Sequence, residues 1–190
     1  MTPLPDEICY TFADLLEWDD DVRYELYDGH PAALAALSNT HQLISGELFR
    51  QIANYLVGKR CKVYPAPFDV RLFEEKDDRP EDVSVVVQPD ISVVCDPSKT
   101  DGHGCKGAPD LVIEVTSPST VRSDKLLKFD LYRRAGVKEY WIVDPADQVV
   151  SVYTLESGHY LAAAYGAGDS VRVSVLDGLT VDLSTVFPET

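Results

Sequence analysis

The sequence predicts an α/β (α+β) fold in which helices flank a mixed central sheet. Three apolar runs, CKVYPAPFDVRLF, VSVVVQPDISVVC and PDLVIEVTS, are rich in Val, Ile and Phe, as is typical of strands in a mostly buried sheet. A helical segment separates them from a fourth apolar run, EYWIVDP. Strands, a crossover helix and a further strand indicate a mixed sheet. The 190 residues, 45% of them hydrophobic, are predicted to form a single domain, 1–190, of an ordinary globular protein.

The first 21 residues are predicted to be an acidic N-terminal extension with one short helix. This helix should run from Phe12 to Trp18, with Thr11 as its N-cap. The following segment, YELYDGHPAALAAL, has the pattern of two short strands joined by a turn at Asp28 and Gly29.

Residues 40–57 have the periodicity of an amphipathic helix that Thr40 can cap and Gly58 would end. Its apolar face is predicted to consist of Leu43, Leu48, Ile52 and Leu56.

The second half of the chain should contain a loop, a helix and a strand meander. The polar, Gly-rich segment DPSKTDGHGCKGAP is predicted to be a loop. A helix should run from Ser123 to Ala135 and end at Gly136. Residues 149–190, with VVSVYTL, HYLAAAY and SVRVSV, are predicted to form a C-terminal strand meander.

The distribution of charge along the chain bears on whether it can bind DNA. A net charge of −15 argues against general DNA affinity, because contacts to phosphate need lysine and arginine. The charge is unevenly distributed, however. Residues 6–28 hold nine acids and one base, whereas residues 122–138 hold six bases and two acids. The bases of this second segment can equally belong to a solvated helix face.

The compartment is predicted from the N-terminus and the cysteines. The chain has no basic, apolar leader and no apolar run of about 18 residues, so we expect a cytoplasmic protein that does not cross a membrane. The four scattered cysteines, Cys9, Cys61, Cys95 and Cys105, form no CxxC pair, and a reducing compartment would keep them as buried thiols.

Two acids stand alone within apolar strands. Asp90 lies in QPDISVV and Glu114 lies in PDLVIEV, where side chains alternate between the two faces of a sheet. Two buried carboxylates on neighbouring strands repel each other unless a cation lies between them. All-oxygen ligands favour Mg²⁺ or Mn²⁺, so the pair predicts a metal site for phosphodiester hydrolysis. The alternative is that either acid lies at a strand end, solvated or capping a helix.

The helix after these strands can add a cation. Asp124, Lys128 and Tyr132 follow at i, i+4 and i+8 and share one face, which Leu127 and Leu131 would dock on the sheet. Lys128 could then reach over the acid pair. The alternative is an exposed lysine paired with Asp124.

Taken together, QPDISVV, GAPDLVIEVTSPST and GVKEYWIVDP, with Asp124, Lys128 and Tyr132 between them, resemble the Uma-two type restriction-endonuclease family of the PD-(D/E)XK nuclease superfamily. The resemblance covers roughly residues 22–165 and implies a restriction-endonuclease-like core with Mg²⁺ held by Asp90 and Glu114. In the superfamily a lysine lies two residues after the glutamate. Thr116 occupies that position here, so the resemblance points to Lys128 as a lysine that has migrated to the helix.

Further residues are expected around this set. The backbone carbonyl of Val115 could complete the metal coordination. His41 matches the family's pattern and is expected to be structural or to face the substrate. The candidates to support the site from around the ligands are His41, Glu47, Thr116, Asp124 and Tyr132.

Two functions are therefore predicted. The first is a Mg²⁺-dependent endonuclease acting on DNA, in which Asp90, Glu114 and Lys128 are catalytic. The second is a catalytically silent interaction or scaffold protein with the nuclease fold, which Thr116 and the acidic composition favour. A homodimer is also expected, from superfamily analogy and from apolar surface near the C-terminal meander.

Overall fold

The computed structural model describes residues 9–18, 22–116 and 123–188, with no account of the side chains of 123–125. The helices are α1 (Phe12–Glu17), α2 (Asn39–Leu56) and α3 (Ser123–Ala135), and short 3₁₀ turns span Pro80–Asp82, Pro97–Lys99 and Leu183–Thr185. In chain order the strands are β1 (Tyr24–Tyr27), β2 (His30–Ala33), β3 (Lys62–Pro65), β4 (Val70–Arg71), β5 (Ile91–Val94), β6 (Thr100–Asp101), β7 (Gly104–Lys106), β8 (Leu111–Val115), β9 (Glu139–Asp144), β10 (Val149–Glu156), β11 (His159–Gly166), β12 (Ser170–Arg172) and β13 (Thr180–Asp182).

The central sheet has the strand order β11-β10-β9-β8-β5-β3. Strands β8 and β9 are parallel, with Glu114 opposite Ile142, and α3 forms the crossover that a parallel pair requires. All other neighbours in this sheet are antiparallel, including β5 and β8, where Ile91 lies opposite Ile113. The predicted α+β architecture with a mixed central sheet is confirmed.

Each face of the sheet has its own core. On one face Ile113 packs with Ile44, Leu48 and Ile52 of α2, and the C-terminal strands β12 and β13 complete this cluster. On the other face Val112 packs with Leu131 and Tyr132 of α3, with Tyr140 of β9 and with Val137 from the turn between them. Because side chains alternate along β8, Glu114 is on the α3 side of the sheet, as predicted.

The predicted N-terminal helix and hairpin are confirmed, although α1 ends at Glu17 rather than at Trp18, and residues 1–8 and 19–21 of the predicted acidic extension lie outside the described residues. The Asp14 carboxylate accepts the backbone N–H (2.7 Å) and the hydroxyl (2.8 Å) of Thr11, which closes the start of α1. In the hairpin, Asp28 (φ 49°) and Gly29 (φ 82°) are both left-handed, as a two-residue turn between antiparallel strands requires. Phe12 is buried against Leu26, so α1 packs on the hairpin rather than extending from the fold.

Helix α2 differs from its prediction in its cap and its buried face. Ser38, not Thr40, caps the helix, and its hydroxyl accepts the backbone N–H of His41 at 3.2 Å. Leu43 is 60% exposed, whereas Ile44 is completely buried with Leu48. The buried stripe is shifted because it begins at His41, which the sequence pattern did not count as an inward-facing residue.

The predicted loop DPSKTDGHGCKGAP was wrong, because it contains β6 and β7, which pair with β4 in a small three-stranded sheet. Arg71 organises this sheet. Its buried guanidinium donates to the Asp101 carboxylate (2.7 Å), the His103 carbonyl (3.0 Å) and Glu74. Gly104, at φ +122°, lies so close to the Asp69 carbonyl that a Cβ would be 2.1 Å from it. These long-range contacts give the segment its strands.

The C-terminal meander was predicted only in part. Strands β10 and β11 form an antiparallel hairpin at one edge of the central sheet, but β12 leaves that sheet and pairs with β13. The buried Glu139 carboxylate, on β9, fastens the turn after β12. It accepts the indole N–H of Trp141 (2.7 Å) and the backbone N–H groups of Ser174 (2.7 Å) and Val175 (3.1 Å).

The prediction of four buried thiols was also wrong. Cys61 and Cys95 form a disulfide, because the β3–β5 register that pairs Lys62 with Val94 brings the adjoining residues together across the sheet. Cys9 is an exposed thiol, and only Cys105 is a buried one among the described residues.

In the part of the chain that the structure describes, no helix combines the length and the apolar character needed to cross a membrane.

The buried face of α2 gives a direct test of the packing. Ile44→Ala should lower the free energy of unfolding by about 2–5 kcal/mol, because it opens a cavity between α2 and the sheet. Leu43→Ala, one position away on the exposed side, should change it by less than about 0.5 kcal/mol. Urea denaturation of both variants measures the difference, and similar losses would contradict the observed helix face.

Candidate active site

A cavity of about 150 Å³ opens beside the central sheet, between the β1–β2 hairpin, the start of α2 and helix α3. The segment 34–38, which connects β2 to α2, forms one wall. The other lining residues are Arg23, Glu25, His41, Gln88, Asp90, Glu114, Val115, Thr116, Lys128 and Tyr140. The acid pair and the lysine predicted from sequence therefore meet in one place.

Asp90 lies immediately before β5 and is held by two donors. Its Oδ2 accepts the backbone N–H of Val115 at 2.7 Å, and Nε2 of His41 lies 3.0 Å from the same oxygen. Burial lowers the pKa of His41, but the hydrogen bond and the negative charge of Asp90 outweigh burial and raise that pKa overall. The buried ring of His41 thus fixes Asp90 from α2.

Glu114 is bound from α3. Its Oε1 accepts the Lys128 ammonium at 2.9 Å and the Tyr132 hydroxyl at 2.7 Å. Burial raises the pKa of Glu114 to about 7; Lys128 opposes this rise, and the nearby charges of Asp90 and Glu25 add to it. Burial acts against the charge of Lys128, but Glu114 and Glu25 outweigh it and raise the pKa of Lys128 well above its ordinary value. Lys128 therefore remains a cation shared between acids.

Glu25, on β1, is the member of this site that the sequence reasoning missed. Its Oε1 accepts Lys128 Nζ at 2.9 Å and the backbone N–H of Gln88 at 2.8 Å, and its Oε2 accepts the Tyr27 hydroxyl at 2.5 Å. Glu25 is only 2% exposed. A signal was present, since Glu25 stands alone between apolar residues in YELY as the other two acids do in their strands.

The two carboxylates fit a hard divalent cation. All hydrogen bonds found for them within the described residues use Oδ2 of Asp90 and Oε1 of Glu114, which leaves Oδ1 and Oε2 free. Two carboxylate oxygens and a backbone carbonyl are the ligand type that Mg²⁺ and Mn²⁺ prefer, with water completing the shell. In the described part of the chain, no group of three or more His, Cys, Asp and Glu side chains is suited to a metal, so a cation at this pair would need backbone and water oxygens to complete its shell.

A known family matches most of the chain. The model of the Uma2 family, described as "Putative restriction endonuclease", matches residues 12–184. The chain belongs to the Uma2 family.

Two further proteins are similar to this chain. The chain is 26% identical over 178 residues to "Uncharacterized protein slr1290" of Synechocystis sp. (strain ATCC 27184 / PCC 6803 / Kazusa), which covers 92% of this chain and 89% of that protein. It also resembles a crystal structure described as "a putative nuclease belonging to DUF820" from Anabaena variabilis ATCC 29413. That likeness has a TM-score of 0.72 at 19% identity and covers 93% of this chain and 97% of the other, so it shows the fold.

The other residues of this Uma2 chain that were predicted to support the site do not all lie at the cavity. Tyr132 contacts Glu114, as described above, and Thr116 lines the cavity, although its hydroxyl donates to the Val143 carbonyl at 3.2 Å. The side chain of Asp124 lies outside the described residues. Leu131 is buried against the sheet, but Leu127 is 45% exposed, so the prediction that both leucines dock α3 was wrong.

Glu47, which was also predicted to support the site, lies away from the cavity. It accepts both Nε (2.7 Å) and Nη2 (2.6 Å) of Arg50, the Gln51 amide (3.0 Å) and the Thr185 hydroxyl (2.8 Å). These contacts tie α2 to the C-terminal segment, and Glu47 is absent from the cavity wall. Arg50 and Thr185 lower the pKa of Glu47 to about 2, although burial raises it. The hypothesis that Glu47 extends the metal site has no support in this geometry.

Lys128 should also stabilise the fold. Lys128→Met leaves Glu25 and Glu114 without their shared cation, and removing one partner of a buried ion pair typically costs about 3–5 kcal/mol. Arg133→Met is the matched control on the same helix, because its pairing with Asp130 is half-exposed and should be worth less than about 1 kcal/mol. Urea unfolding measures both, and equal losses would mean that the acids do not depend on Lys128.

Proposed function

We propose that this chain is a metal-dependent endonuclease that hydrolyses phosphodiester bonds in DNA. The observation that carries the proposal is the meeting of Asp90, Glu114 and Lys128 in one cavity, with a free oxygen on each carboxylate. Membership of the Uma2 family supports a nuclease activity. The metal ion and DNA as the substrate are our inference from the donor set and the surrounding charge.

Asp90, Glu114 and the backbone carbonyl of Val115 would hold the cation. When bound, Mg²⁺ or Mn²⁺ supplies a Lewis acid for a phosphoryl oxygen and lowers the pKa of a coordinated water. The chain prepares this site by fixing one oxygen of each acid. Val115 N–H and His41 hold Asp90, while Tyr132 and Lys128 hold Glu114. The free oxygens are thereby positioned before a cation arrives.

Lys128 has one donor left for chemistry. Its ammonium carries three N–H groups, and the described contacts use two of them, one on Glu25 and one on Glu114. The third can orient the attacking water or stabilise the charge that develops on the phosphate. Thr116, two residues after Glu114, cannot serve this role. Lys128 would serve it instead, from helix α3.

Arg23 offers the substrate a second cation at the cavity. It is half-buried, and no acid pairs with it among the described residues. A free guanidinium binds phosphate through two parallel N–H groups. The net charge of −15 therefore does not exclude a nucleic-acid substrate, since a local cation faces the site of reaction.

The catalytically silent scaffold is the competing function, and the acidic composition still favours it. The replacement of the usual lysine by Thr116 favours it less, because Lys128 reaches Glu114. We also propose a homodimer. It is supported by the edge strand β11, on which Leu161 is 56% exposed and no Lys, Arg, Asp, Glu or Pro occurs.

Loss of either carboxylate should weaken both metal binding and cleavage. Asp90→Asn and Glu114→Gln should each lower plasmid nicking by about a hundredfold or more, as expected when several kcal/mol of transition-state stabilisation are lost. Calorimetric titration with Mn²⁺ should show weakened binding for both variants. Glu47→Gln is the control and should retain metal affinity and cleavage. Glu47→Gln should only lower the free energy of unfolding. In the wild type, the stabilising contribution of the ionised Glu47 carboxylate is lost as pH falls from about 4.5 towards about 2.

Two results would contradict the nuclease proposal. One is wild-type protein that binds Mn²⁺ but cleaves neither plasmid nor single-stranded DNA, which favours the scaffold. The other is nicking that persists in Asp90→Asn, which places the activity in a contaminant or at another site.

Arg23 should contribute to substrate binding rather than to metal binding. Arg23→Gln should raise KM for DNA by about tenfold, because one charged hydrogen-bonded contact is worth about 1.5–3 kcal/mol, while Mn²⁺ affinity is unchanged. Arg172→Gln, an exposed arginine on β12, is the control. Cleavage rates at a series of DNA concentrations give the answer, and equal KM values for the two variants would exclude the phosphate contact.

A further inference from the structure

A second cavity, of about 140 Å³, adjoins the first. Leu37 and Asp90 line both cavities, so the second one lies against the carboxylate proposed to hold the metal ion. Its other walls come from one face of α2 and from the end of β3. They consist of Gln42, Ser45, Gly46, Phe49, Pro65 and Ala66. Apart from Asp90, none of these residues is ionisable.

The walls combine apolar surface with one amide that is free to bind. Phe49 and Ala66 are half-buried, and Pro65 adds an exposed apolar ring. The Gln42 side chain is exposed and makes no hydrogen bond within the described residues, so it offers both a donor and an acceptor. Flat apolar walls with a few polar groups are typical of sites for heteroaromatic ligands.

Gly46 leaves the space open. It lies in the middle of the 18-residue helix α2, where glycine costs about 1 kcal/mol relative to alanine. Its backbone does not require glycine, and a Cβ built there would meet no atom within 4 Å. The missing side chain therefore serves no packing contact, and it widens the cavity.

We propose that the second cavity binds the base of the nucleotide next to the scissile phosphate. This inference rests on the proposed function and refines it. With the phosphate on the cation that Asp90 would hold, the base would lie against Phe49 and Pro65, and the Gln42 amide would meet its polar edge. A base stacked and paired in a duplex cannot enter such a pocket. The substrate class that fits is therefore single-stranded DNA, or DNA that is locally unpaired.

Filling the pocket tests the proposal without relying on cleavage. Gly46→Leu should weaken the binding of a fluorescein-labelled single-stranded oligonucleotide by about tenfold or more, measured by anisotropy in Ca²⁺. A base stacked on an aromatic side chain is worth about 1–3 kcal/mol, and 1.4 kcal/mol is tenfold. Gly46→Ala is the matched control, because it adds one methyl group to open space and should bind nearly as the wild type does. Thermal unfolding should show both variants to be at least as stable as the wild type.

A second variant and a competition experiment complete the test. Gln42→Leu removes the amide at an exposed position of α2. It should weaken binding of the same oligonucleotide, because the base loses its polar contact. Unlabelled single strand should compete better than a duplex of the same sequence. Wild-type affinity in Gly46→Leu, no binding of single strand by the wild type, or preference for the duplex would each overturn the pocket.

Failure of the base pocket and failure of the nuclease proposal would give different experimental results. If Gly46→Leu loses affinity while nicking persists in Asp90→Asn, the base pocket stands and the proposed catalytic site fails. If nicking depends on Asp90 but Gly46→Leu binds and cleaves with unchanged KM, the nuclease stands and the pocket fails.

Discussion

The contact on which the site depends is the shared ammonium of Lys128 between Glu25 and Glu114. It joins three elements that are far apart in sequence: strand β1, strand β8 and helix α3. Without this cation, two largely buried acids, Glu25 and Glu114, would lose the one ion-pair partner found for them among the described residues. The contact of the hairpin with the sheet therefore depends on the same cation as the arrangement of acids in the cavity.

The strand register determines how the acids can be used. In β8, the Glu114 side chain faces α3, while the next residue, Val115, turns its side chain to the α2 core and its N–H to Asp90. Two successive residues thus hold both carboxylates, one through a side chain and one through the backbone. A shift of the β8 register by one residue would exchange these roles and bury Glu114 among the apolar residues of α2.

Most of the site residues could be predicted from the sequence. The residues and strands that were missed depend on contacts between distant parts of the chain. Asp90 and Glu114 were identifiable because charged residues in buried strands are rare, and Lys128 because of its helical spacing. Glu25 carries the same pattern but was counted with the surface acids around it, since only a contact across 103 residues shows its role. The strands β6 and β7 were missed because the ion pairs of Arg71, rather than local propensity, create them.

The position of Leu37 has a consequence for how the two cavities respond to ligands. Leu37 belongs to the segment between β2 and α2, and its side chain forms part of the wall of each cavity. An occupant that displaces Leu37 on one side changes the space available on the other. The two occupancies are then thermodynamically linked, and the effect of the first ligand on the second equals the effect of the second on the first. Substrate selection and phosphate placement would then be coupled through Leu37.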